Sequence, residues 1–134
     1  MKISDIEGIG PAYATKLTKK AGIRSVEALL KNGATEKGRK EIAAATGITE
    51  PLILDWVNRA DLYRIKGIGG QYSDLLEQAG EDTVVELSKR VAENLYKKMV
   101  EVNNAKNLVN GMPGLKKVQD WIDQAKKLPR VVKY

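Results

Sequence analysis

The sequence contains no cysteine and no histidine. Without cysteine there is no disulfide framework, thiolate nucleophile or Cys-based zinc site. Without histidine, no Ser-His-Asp triad, Cys-His dyad or His-ligated metal centre can be assembled. The usual side chain that titrates near neutral pH is also missing. No run of about 18 apolar residues occurs, so no membrane-spanning helix is expected. Met1 to Gly10 lack the long apolar stretch of a signal peptide. These absences lead us to expect a cytoplasmic, non-enzymatic protein with no cofactor, no metal site and no membrane partner. Any chemistry would have to come from carboxylates, lysines or hydroxyls.

What is present is a short, basic chain. It has 134 residues, with 23 Lys and Arg against 17 Asp and Glu, for a formal charge of +6. That length suits one domain or two small subdomains. The charge is unevenly spread. Residues 1–62 carry a net +2 and residues 63–134 a net +4, and residues 116–134 alone account for +4.

Internal repetition is the strongest signal. Ile6-Glu7-Gly8-Ile9-Gly10-Pro11-Ala12-Tyr13 recurs as Ile65-Lys66-Gly67-Ile68-Gly69-Gly70-Gln71-Tyr72, displaced by 59 positions, and Leu17 matches Leu76 at the same offset. Ala21-Gly22 then corresponds to Ala79-Gly80, and Ser25-Val26 to Thr83-Val84. Later, Asp55-Trp56-Val57 and Ala60 correspond to Asp120-Trp121-Ile122 and Ala125. The series implies a duplicated unit, residues 1–62 and 63–134.

Helical periodicity runs almost throughout, predicting an all-α fold of about eight to nine helices. Tyr13, Leu17 and Ala21 share one helical face, with Pro11 in the first turn and Gly22 as the left-handed stop. Ser25, Thr35, Thr49 and Thr83 are expected N-caps. A helix is predicted from residue 92 to about 109, then a break at Gly111-Met112-Pro113-Gly114, then a last helix from about Leu115 to Lys127. No segment alternates convincingly as a strand; Ile3 and Val131-Val132 are the one candidate pairing. The C-terminal segment after Pro129 is apolar enough to dock on the body or on a neighbour.

The pattern Ile6-x-Gly8-Ile9-Gly10-x-x-x-Ala14-x-x-Leu17 resembles the helix-hairpin-helix motif of DNA-binding proteins. Its second copy carries Gly67-Ile68-Gly69, Ser73 and Leu76 at the matching positions. The whole chain is similar to a bacterial tandem helix-hairpin-helix domain family of unknown function. The resemblance implies that hairpin amides contact DNA backbone phosphates. Elementary physics fits this: two glycines let a backbone approach another molecule closely, and the helix that follows offers unpaired N–H groups and a positive dipole end. Such a contact reads no base.

The expected nucleic-acid-binding residues are therefore Gly8, Ile9, Gly10 and Ala12 at the first turn, with Lys16, Lys19 and Lys20 downstream. At the second they are Lys66, Gly67, Ile68, Gly69 and Gly70. The first turn ranks higher for its lysine cluster, although Glu7 sits beside it and Asp74 and Glu77 follow the second. Gly47-Ile48-Thr49 and Met112-Pro113-Gly114 read as degenerate further turns. Trp56 and Trp121 are expected in the core, with Tyr13 and Tyr72 packed under the turns. The leading expectation is a non-sequence-specific module for duplex or branched DNA. The alternative is a protein-interaction or scaffold module, including self-association through the C-terminal tail.

Overall fold

The computed structural model describes residues 1–134. Eight α-helices follow a short 3-10 turn at Ile3–Asp5, and there is no named strand. The helices are α1 (Pro11–Ala21), α2 (Val26–Gly33), α3 (Glu36–Thr46), α4 (Glu50–Leu62), α5 (Gly70–Gln78), α6 (Val84–Ser88), α7 (Ala92–Lys106) and α8 (Leu115–Lys127). The all-α expectation holds. No helix is long and apolar enough to cross a membrane.

The chain divides into two compact units, Met1–Asp61 with Val131–Tyr134, and Leu62–Arg130. In the first, α3 packs against α1 and α2. Its buried apolar side chains include Ile6, Leu17, Ile23, Leu29, Ile53 and Trp56. In the second, α8 packs against α6 and α7, and α5 against α7. Its core gathers Leu62, Ile65, Leu75, Leu76, Leu87, Leu95 and Met99 around Trp121. Each fully buried side chain of this kind contributes about 1.5–3 kcal/mol relative to exposure.

Local signals decide most boundaries. The hydroxyls of Ser25, Thr35 and Thr83 accept N–H bonds from Ala28, Gly38 and Glu86 at 3.0, 3.1 and 3.4 Å. Gly22 and Gly47 end α1 and α3 with φ of 69° and 76°. Thr49 contributes its carbonyl, which accepts from Ile53 N–H at 3.1 Å, at the start of α4.

Two expectations are corrected. The seventh helix ends at Lys106, short of residue 109, because Asn107 turns left-handed (φ 52°) and its N–H closes on Asn103 O at 2.7 Å. The Asn103 side chain then holds Val109, accepting from its N–H at 2.9 Å and donating to its carbonyl at 3.1 Å. The other correction concerns the expected pairing of Ile3 with Val131-Val132. The isolated bridge instead joins Lys2 and Ser25. The tail lies along the α2–α3 junction, where Lys133 N–H donates to Ala34 O at 2.7 Å. Val132 is buried there. The nearly buried Arg39 donates from Nη1 to Gly33 O and from Nη2 to Lys133 O, both at 2.8 Å. Tyr134 Oη donates to Asn58 Oδ1 at 3.3 Å.

Candidate nucleic-acid interface

The duplicated Gly-Ile-Gly segments fold alike, each within its own unit. In the first turn Ile6 N–H donates to Ile3 O at 3.3 Å and Ile9 N–H to Ile6 O at 3.1 Å. In the second, Ile65 N–H donates to Leu62 O at 3.1 Å and Ile68 N–H to Ile65 O at 3.2 Å. Gly8 and Gly67 have φ of 93° and 98°, a region in which a side chain is strained. The middle residues Ile9 and Ile68 are only 4% and 5% exposed. They anchor the turns from inside, so only their backbone can face a ligand.

Gly10 and Gly69 are then the N-caps of α1 and α5, and neither helix has a side-chain cap. Ala14 N–H and Ser73 N–H make the first helical bonds, to Gly10 O and Gly69 O, both at 2.9 Å. The amides of Ala12 and Tyr13, and of Gly70 to Tyr72, precede these and have no acceptor within their helices. Gly8, Gly10, Pro11 and Ala12 are exposed, as are Gly67 and Gln71, while Gly69 and Gly70 are half-buried. Pro11 itself offers no N–H.

A tryptophan supports each turn. Trp56 and Trp121 are fully buried. Tyr13 meets Trp56 edge-on, ring centroids 5.0 Å apart, and Tyr72 meets Trp121 at 5.3 Å. Tyr72 Oη also donates to Gly111 O at 3.1 Å. A Cβ on Gly8 would stand 3.6 Å from Trp56 Nε1; on Gly67 it would stand 3.1 Å from Trp121 Nε1. The buried Trp121 Nε1 has no hydrogen-bond partner.

The lysines fall differently from their order in the sequence. Lys16, Lys19 and Lys20 are all exposed, but Lys19 and Lys20 sit in the last turn of α1. Lys19 is about 12 Å along the axis from Pro11, where its charge suits the negative end of the helix dipole. The exposed Glu7 remains beside the first turn. Lys66 is exposed at the second turn, and Lys117 of α8 joins it: its Cε lies 3.5 Å from where a Gly67 Cβ would be. Asp74, expected to disfavour an anion there, is 8% exposed and partnered.

Gln124 belongs to no motif in the sequence, yet it meets the second turn. Its Oε1 accepts from Lys66 N–H at 2.9 Å and its Nε2 donates to Lys66 O at 3.1 Å. Asp120 Oδ2 accepts from the same Nε2 at 2.9 Å. Lys117, Asp120, Trp121 and Gln124 follow i, i+3, i+4, i+7 spacing, a single helical stripe. A signal was available: once Trp121 is placed under the turn, its helical neighbours must flank it.

The degenerate turns keep part of the plan. Ile48 is buried after left-handed Gly47, and Pro113 is buried before Gly114, the uncapped start of α8. Away from the turns, Glu81 is buried and paired with Arg90. Burial pushes its carboxyl above the usual range, against the opposing pull of Arg90. No group of three or more acidic side chains is placed to hold a metal ion.

A family model described as "Domain of unknown function (DUF4332)" matches residues 7–128. The chain belongs to the DUF4332 family. The match spans both turns, all eight helices and both tryptophans, so the duplicated plan lies within this DUF4332 domain. No curated protein and no solved structure matches the chain.

Proposed function

We propose that this protein is a non-enzymatic, cytoplasmic DNA-binding module of the helix-hairpin-helix kind, gripping the phosphodiester backbone of duplex or branched DNA without reading bases. The observation that carries the reading is the recurrence of one turn geometry: an exposed glycine at positive φ, a buried isoleucine, then a glycine that starts an uncapped helix. An uncapped N-terminus with free amides suits a phosphate oxygen. Gly8, Gly10, Ala12, Gly67, Gly69 and Gly70 supply backbone, Ile9 and Ile68 hold its shape, and Lys16 and Lys66 add charge. The lack of histidine and cysteine supports a binder over a catalyst.

The test is fluorescence anisotropy with duplexes of unrelated sequence across a salt series. The reading predicts similar affinities for all duplexes and a linear fall of log K with log salt, with a slope of about −2 to −4 for a few phosphates. Failure to bind either a duplex or a branched DNA junction at low salt contradicts it. A scaffold role is the second reading, and the exposed Glu7 beside the first turn is what favours it.

A further inference from the structure

The two units carry the same turn over the same tryptophan, so each serves as an internal control for the other. Helices α4 and α8 correspond at an offset of 65 residues, which aligns Trp56 with Trp121 and Asp55 with Asp120. Three neighbouring positions have changed chemistry. Lys117 stands where the first unit has Leu52, Gln124 where it has Arg59, and Lys66 where it has Glu7. Over these three positions the first unit has an anion, a leucine and an arginine that is paired with Asp55, whereas the second has two cations and a neutral amide.

We infer that the second turn is the main phosphate site, with Lys117 a ligand-contacting cation and Gln124 the residue that positions the loop. This rests on the DNA-binding reading above. Lys117 is exposed, and its Cε lies 3.5 Å from where a Gly67 Cβ would be, so a cation is brought to the turn from another helix. An ammonium on a flexible stem serves a phosphate as a point charge. Gln124 fixes both the N–H and the carbonyl of Lys66, and Asp120 fixes Gln124 in turn. Pinning this peptide removes conformational freedom that binding would otherwise have to remove. The buried Trp121 Nε1, lacking a partner against Gly67, marks the same spot as one where a polar group is held without internal compensation. The first unit pairs Arg59 Nε with Asp55 Oδ2 at 3.4 Å on the corresponding stripe.

The experiment is duplex-DNA anisotropy on the full chain and four variants, each at several salt concentrations. Lys117→Gln should weaken binding by about fivefold and reduce the salt slope by about one. Lys117→Arg should keep both within twofold. Lys19→Gln, at the far end of α1, should change affinity less than Lys117→Gln does. Gln124→Leu should lower affinity while leaving the salt slope unchanged, and should speed hydrogen exchange at the Lys66 amide. A merely structural role for Gln124 would change thermal stability without this split between affinity and slope. Wild-type binding with unaltered Lys117→Gln binding overturns the inference and leaves the DNA reading standing. Absence of wild-type binding to the duplex and to a branched junction overturns both. Unchanged affinity in Gln124→Leu removes its positioning role.

Discussion

Gly67 lies against the indole of Trp121, so that a Cβ at position 67 would stand 3.1 Å from Nε1. The matching distance from Gly8 to Trp56 is 3.6 Å, an ordinary van der Waals contact. Both glycines have positive φ, so alanine is strained at either position. Only at Gly67 does a steric cost against a buried ring add to that strain. We expect Gly8→Ala to cost about 1–2 kcal/mol and Gly67→Ala about 2–4 kcal/mol. Thermal or urea unfolding of the two variants measures the difference; equal costs would mean that the second turn does not rest on Trp121.

The C-terminal segment should be a stability element of the first unit. Arg39 is 5% exposed, and its guanidinium bridges Gly33 O and Lys133 O at 2.8 Å each. Removing residues 131–134 exposes the site of Val132 and leaves Nη2 without that acceptor. The expected loss is about 2–4 kcal/mol, from apolar burial and a charge-assisted bond. Arg39→Met should cost about 1–3 kcal/mol in the full chain and less in the shortened one, because the shared bond is already gone. A double-mutant cycle by chemical denaturation checks this, and strict additivity would contradict it.

The pH dependence of stability should carry an unusual contribution from Glu81. Burial raises its folded-state pKa above the unfolded value. The folded state therefore holds its proton to higher pH than the unfolded state does. This group's contribution is present at low pH and is lost as pH rises through the raised value, opposite in sign to an ordinary salt-bridged carboxylate. Glu81→Gln removes that loss. The unfolding free energy of Glu81→Gln minus that of wild type should be more positive at pH 7 than at pH 5. A difference that is constant or declines with pH would refute the assignment.

Legibility in the sequence followed the range of the interaction. Caps and stops act within four residues, so Ser25, Thr35, Thr83, Gly22 and Gly47 were readable as punctuation. The repeat offset located both turns and set both tryptophans in corresponding helices. Asn107 was not readable as a stop, because asparagine adopts the left-handed cap less regularly than glycine. The chemistry around the second turn comes from Lys117 and Gln124, 50 and 58 residues away from Gly67 and Lys66. No local periodicity encodes such a meeting. Arg39 carries no local signal of burial, yet its guanidinium donates to a carbonyl 94 positions later. Lys19 and Lys20 follow the first turn closely in sequence but lie in the last turn of α1, at the far end of the helix axis.

The most direct test of the account is an amide-resolved NMR titration of the full chain with a short duplex of arbitrary sequence. The largest shifts should fall on residues 66–72, with Gly67, Gly69 and Gly70 foremost and the Lys117 side chain following. Smaller shifts should appear at residues 10–14, and high salt should suppress both sets. Shifts confined to α3 or to the C-terminal segment, or no shifts at low salt, would contradict it.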